Sequence, residues 1–169
     1  MGLQKRACKP VGVILPFDTS IRSEAGYIDY IKSIYTDEGS LDLDPSDPPV
    51  RFTMRQWTDA HKDYIGCQES DRATWKAGVR CALTAHSGYA IVDEDGTAKP
   101  APPIELKTEG RLGFVVPMSW FSDVVLPDDH LEHLYIAARN VSEAAPPLSQ
   151  PSAPESGQPK SESPESSAE

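Results

Sequence analysis

The chain has 169 residues, with 26 acidic against 16 basic side chains and a net charge of −10. That length suits one ordinary domain with appendages. The charge disfavours nucleic-acid phosphates and anionic membrane surfaces, which need clustered Lys and Arg, and no segment approaches the roughly 20 apolar residues that span a bilayer.

Lys5, Arg6 and Lys9 precede the apolar run Val11–Phe17, which is short and interrupted by Gly12 and Pro16, so it makes a poor signal peptide. Met1-Gly2 begins a myristoylation pattern, but Arg6 stands where Ser or Thr is required. Val11–Leu15 reads as a strand or extended arm stopped by Pro16. Ile28, Ile31, Ile34 and Tyr35 recur at helical spacing beside Tyr27, with Ser20 or Ser23 as the cap. Residues 36–49 hold three prolines and five acids and read as a mobile acidic loop.

Val50–Phe52 reads as a brief strand. Thr53 and Gln56 have capping-box spacing, opening a helix whose face is Met54, Trp57, His61, Tyr64 and Ile65 and whose end is Gly66. The next helix starts at Ser70, buries Trp75, Val79, Ala82 and Leu83, and is expected to run to Gly88. Tyr89–Val92 reads as a strand and Asp93–Gly96 as a turn, with Gly96 able to take positive φ. Residues 97–110 form a proline-rich connector, Leu112–Val116 an apolar run, and Met118–Val125 a short helix. The last helix begins at Pro127, with Asp128 and Asp129 at the positive end of its dipole, and buries Leu131, Leu134, Tyr135, Ala138 and Val141.

Residues 143–169 hold five Glu, one Lys, six Pro and seven Ser, with Leu148 the one large aliphatic residue. Such a stretch buries too little apolar surface to offset the entropy of ordering, so it is expected to be a disordered tail. Its charge of −4 leaves −6 for the rest. The expected organisation is an N-terminal strand, helix and acidic loop (1–49) packed on a helical body (50–142), followed by the tail (143–169). The expected fold class is α+β, mostly helical, with about four helices and a few short strands.

No set of residues announces chemistry. His130 and His133 lie one helical turn apart beside Asp129, but no third metal ligand accompanies them, and exposed helix histidines are the simpler account. Asp42, Asp44 and Ser46 begin like a calcium loop, yet Asp47 stands at its glycine position and Thr53 at its bidentate glutamate. Asp93–Gly96 fails the same test. Cys81 and His86 are badly spaced to face each other on one helix, and a thiol on an apolar stripe is usually core. Cys8, Cys67 and Cys81 are too few and too scattered for a disulfide framework, which points to reduced thiols in a cytoplasm. Neither enzyme activity, a cofactor nor a metal is expected. Trp57, Trp75 and Trp120 lie on apolar faces and default to core. Phe114, Trp120 and Phe121 fall in the least regular apolar segment and are the candidate partner-binding residues, since aromatic anchors dominate protein interfaces.

The order of features over 50–142 is a short strand and capped helix (Val50–Ile65), then a helix with a Trp and small residues (Trp75–Leu83). Ile91-Val92-Asp93-Glu94-Asp95-Gly96 follows, and then Leu126-Pro127-Asp128-Asp129-His130-Leu131-Glu132-His133-Leu134 leading to Asn140-Val141-Ser142. This order resembles the tail-assembly chaperones of long-tailed bacteriophages, small acidic helical proteins that often carry a flexible C-terminal extension. The resemblance implies binding to a long helical tape-measure protein during virion assembly, and it brings no catalytic residues. The rival expectations are an acidic inhibitor occupying a nucleic-acid site on a host enzyme, and a minor virion structural protein.

Overall fold

The computed structural model describes residues 9–32, 34, 41–122 and 125–144, and these hold four α-helices and seven short strands. Strands β1 (Val11–Val13), β2 (Arg51–Met54) and β3 (Leu83–Ser87) form an antiparallel sheet with β2 in the centre. The period-two pattern of β2 turns Phe52 and Met54 inward and Arg51 outward. The N-terminal strand thus shares a sheet with two strands of the 50–142 body.

The free edge of β1 is covered by phenols from α1 (Tyr27–Lys32). Tyr30 Oη accepts from Ile14 N and donates to Gly12 O, each at 3.3 Å, while Tyr27 Oη donates to Ile14 O at 2.6 Å. An uncovered edge offers such groups to any passing strand, and here side chains occupy them. The aliphatic stripe expected for this helix is therefore wrong at Ile28, which is 70% exposed. Tyr30 and Ile31 are the buried residues, and Tyr35 lies outside the described residues. The expected serine caps also fail, since the helix opens only at Tyr27: Ser23 Oγ accepts from Ala25 N, and Ser20 bonds Asp18.

Residues 41–49 of the acidic loop are strapped to 18–22 by Arg22 N to Asp42 O (2.9 Å), Asp44 N to Ser20 O (2.7 Å) and an Ile21–Leu43 bridge. The Arg22 guanidinium lies 3.9 and 3.7 Å from the Asp42 and Asp44 carboxylates, so two of the loop's acids face a cation.

Helix α2 (Asp59–Gly66) has its capping box at Thr58 and His61, not at Thr53 and Gln56. Thr53 and Met54 are spent in β2, because sheet pairing with β1 and β3 satisfies backbone that a helix start there would leave open. Thr58 Oγ1 accepts from His61 N, and Thr58 N donates to His61 Nδ1 at 3.1 Å. With Nδ1 accepting, Nε2 carries the proton and donates to Leu112 O at 2.8 Å, so His61 is held neutral. Burial pushes its pKa down in keeping with this.

Helix α3 (Asp71–Ala82) is capped by Ser70 as expected, Oγ accepting from Ala73 N. It stops at Ala82, six residues before the expected Gly88: Leu83 turns extended (φ −72°, ψ 129°), and residues 83–87 become β3. The chain passes from helix to strand with no linker, and pairing with β2 supplies the hydrogen bonds the helix gives up.

The 97–110 connector contains strands. β4 (Ala90–Val92) pairs with β5 (Ala98–Pro100) across the Asp93–Gly96 turn, where Asp93 Oδ1 accepts from Asp95 N and Thr97 N. β6 (Lys107–Glu109) pairs with β7 (Gly113–Val115), and Met118–Phe121 is a 3-10 turn. Helix α4 (Asp128–Ala144) buries Leu131, Leu134, Ala137, Ala138 and Val141 against α3 and α1, and extends two residues past the expected boundary at Ser142. The rest of the expected tail, 145–169, lies outside the described residues. Helices take 39% and strands 20% of the described structure, so α+β holds, while "mostly helical" overstates the helix content.

Candidate functional site

The three aromatic candidates are separated by the fold. Phe114 on β7 is 57% exposed, whereas Trp120 and Phe121 are 3% and 5% exposed and belong to the core. The Trp120 ring lies 5.5 Å from His86 and 6.1 Å from Tyr89, centroid to centroid. An exposed partner-binding surface made of all three is therefore not what the fold presents. Among the other tryptophans, Trp57 is buried and Trp75 half-buried against the core.

His130 and His133 are half-buried rather than exposed, and they flank a ring that sequence spacing did not place near them. Phe17 stacks on His130 at 5.4 Å and meets His133 edge-on at 4.9 Å. Tyr89 Oη donates to Val125 O at 2.7 Å, which uses its one proton, so the 3.0 Å contact with His130 Nδ1 must be donated by the histidine. Phe17, His130, Tyr89 and Phe52 thus form a continuous aromatic run, with the last two rings 5.2 Å apart.

That run borders a cleft of about 260 Å³ between the segment after β1, the start of β2, the β3–β4 corner and the first turn of α4. Leu15, Phe52 and Tyr89 are its buried apolar surfaces, and Phe17, 48% exposed, stands among its walls. Past β1 and Pro16 the chain folds back, Asp18 N donating to Leu15 O at 3.1 Å, and Phe17 within this turn stands at the surface. Asp18 fixes this corner: Oδ1 accepts from Ser20 N (2.9 Å) and Ser20 Oγ (2.5 Å), and Oδ2 from Val50 N at 3.0 Å, across 32 positions of sequence. Gly88, at φ 84°, turns the chain so that Tyr89 enters from the opposite side.

Carboxylates lie at or next to the lining of the cleft. Asp18 lines it, Asp47 accepts from the lining Thr19 Oγ1 at 2.8 Å, and Asp129 adjoins the lining His130. No Lys or Arg is among the lining residues. Asp129 also acts on Tyr89, whose pKa burial first and this charge second push up to about 12.

Tyr27 and Tyr30 are likewise raised above the ordinary tyrosine value near 10, chiefly by burial. The sign follows from proton counting: above pH 10 the unfolded chain loses phenolic protons that the native state retains, so stability is full below about pH 10 and falls as pH rises toward the native values. The expected outcome is a denaturation midpoint that drops between about pH 10 and 12, with a smaller drop in Tyr27→Phe, read by urea titration against tyrosinate absorbance. A flat midpoint across that range contradicts the burial of these hydroxyls.

Cys81 is fully buried, and desolvation pushes its thiol up to about 11 despite Arg55 and Arg80 nearby, which makes it a poor nucleophile. Cys67 is exposed. Among the described residues no three His, Cys, Asp or Glu side chains gather as a metal-binding group, and no helix is long and apolar enough to cross a membrane. The cleft residues that the sequence did not single out are Phe17, Asp18 and Tyr89. Asp18-Thr19-Ser20 after a proline carried a local turn signal, but the meeting of Phe17 with α4 had none. Comparison of the chain with protein-family models, with curated proteins and with solved structures found no match.

Proposed function

We propose that this chain works by binding a protein segment, in the manner of an assembly chaperone or adaptor, with the cleft beside Phe17 as its recognition site. The observation that supports this reading is the cleft itself. It is apolar at its base, open to solvent, and at about 260 Å³ lies below the roughly 300–1,000 Å³ of sites for drug-sized molecules. That size fits one inserted side chain of a polypeptide. Phe17 adds an exposed ring at the site, the kind of residue that anchors protein interfaces. The resemblance of residues 50–142 to tail-assembly chaperones suggests the specific form, a long helical client held during assembly.

The test is selection of peptides from a random display library on the full chain, followed by titration against Ala90→Trp, which fills the cleft from a lining position. Selected peptides are expected to share a large apolar residue, and the filled variant is expected to bind them at least about tenfold more weakly, a loss of about 1.4 kcal/mol, with its thermal unfolding unchanged. Undiminished affinity in a folded Ala90→Trp variant refutes the cleft as the binding site.

A further inference from the structure

Resting on that reading, we infer that the cleft selects a basic segment: one large apolar or aromatic side chain inserted against Phe52 and Tyr89, with Lys or Arg immediately beside it. Three observations meet at this place.

The first is shape. The base of the cleft is built from Leu15, Phe52 and Tyr89, each no more than 7% exposed, so an inserted apolar group exchanges water for carbon on several sides. Filling polar groups on the inserted residue would be costly there, because the Tyr89 hydroxyl is already committed to Val125 O and His130.

The second is charge. Asp18 lines the cleft, Asp47 accepts from the lining Thr19, and the charge of Asp129 acts on the lining Tyr89, so carboxylates from three separate stretches of chain lie at or beside it, with no Lys or Arg among the lining residues. The nearby basic residue of β2, Arg51, alternates to the opposite face of the sheet from Phe52, where its side chain packs beside Gly12. Arg22 is engaged with Asp42 and Asp44. Arg72 is paired with Asp128 in the first turn of α4, which leaves Asp18, Asp47 and Asp129 to bias the cleft toward cations on a chain whose net charge is −10.

The third is rigidity. Asp18 is held by three hydrogen bonds and Asp47 by one from Thr19 Oγ1, so these two carboxylates are positioned before any partner arrives. A preformed negative rim around an apolar socket favours an apolar anchor with flanking cations over an acidic or neutral one, through faster association more than through slower release. A second copy of this chain is disfavoured as occupant by the same charge.

The experiment uses the full chain and three synthetic peptides that share one central Trp or Leu and differ only in flanks of Lys/Arg, Ser/Gly or Asp/Glu. At low salt the basic peptide is expected to bind roughly tenfold more tightly than the neutral one, with the advantage shrinking as salt approaches physiological strength. The variant Asp47→Asn/Asp129→Asn, with thermal unfolding as the check on folding, is expected to erase most of the advantage while keeping binding of the neutral peptide. Equal affinity for all three peptides, with binding still lost in Ala90→Trp, overturns the charge selection and leaves the binding reading standing. Binding of the basic peptide that Ala90→Trp does not weaken overturns both. Sedimentation showing a dimer that Ala90→Trp dissolves assigns the cleft to a second copy and overturns the inference as well.

Discussion

Arg80→Met is expected to lower the free energy of unfolding by about 3 kcal/mol, seen as a lower urea midpoint with an unchanged slope. Arg80 is 5% exposed although it sits on α3, whose neighbouring positions are apolar. Each nitrogen of its guanidinium donates once: Nε to Val116 O at 3.1 Å, Nη1 to Tyr64 Oη at 3.1 Å, and Nη2 to Glu109 at 2.6 Å. Burial alone would push its pKa down, but the hydrogen bonds it donates to Glu109 and Tyr64, with their charges, outweigh that and raise it. Val116 N returns a bond to Arg80 O, also at 3.1 Å, so the two residues are joined in both directions.

Methionine keeps the aliphatic stem and removes the donors. The main loss is at Val116, which is 0% exposed and whose carbonyl has no route to water. Arg55 supports the same region, donating from Nε to Cys81 O at 2.9 Å and from Nη2 to Phe114 O. Two arginines thus fasten the β6–β7 hairpin to the end of α3. Glu109→Gln is expected to cost far less, under about 1 kcal/mol, because its side chain is 47% exposed and water replaces the lost charge. An Arg80→Met variant as stable as the parent would refute the claim that this hairpin is held by polar contacts.

Gly78→Leu is expected to be at least as damaging, about 3 kcal/mol or more, read by chemical denaturation and by tryptophan emission. Helix propensity alone predicts a gain, since glycine in a helix interior costs about 1 kcal/mol relative to alanine. Packing decides otherwise. A Cβ at position 78 would stand 2.5 Å from Tyr135 Cδ2, 2.7 Å from its Cε2 and 3.0 Å from Trp57 Cζ2. Here the Tyr135 ring of α4 and the Trp57 indole both lie against α3, and Trp57 Nε1 donates to Gly78 O at 3.0 Å. Alanine requires the partly exposed Tyr135 ring to give way. Leucine adds further atoms into the same place and parts the helices. Preserved stability in Gly78→Leu would show that this contact is looser than the geometry states.

What was legible in the chain was local. Ser70 before an apolar stripe marked the start of α3, Pro127-Asp128-Asp129 marked α4, and Asp93–Gly96 marked the β4–β5 turn, because caps and turns are made by residues within a few positions of each other. The failures share one cause. Residues 83–87 follow a helix and read as its continuation, yet they pair with β2 thirty positions away, and the sequence carries no record of that pairing. Thr53 had the right spacing for a cap but was claimed by the same sheet.

Composition and periodicity by themselves determined the acidity of the chain and the apolar faces of α3 and α4. Only the tertiary structure decided that Tyr27 and Tyr30 cover the β1 edge and that Trp120 and Phe121 turn inward while Phe114 stays out. It also brought Phe17, Asp18, Tyr89 and His130 from distant stretches to one cleft. A helix or a turn is decided by neighbours in the chain, whereas a cleft is the space left when non-neighbours pack, so its residues show no shared spacing to read.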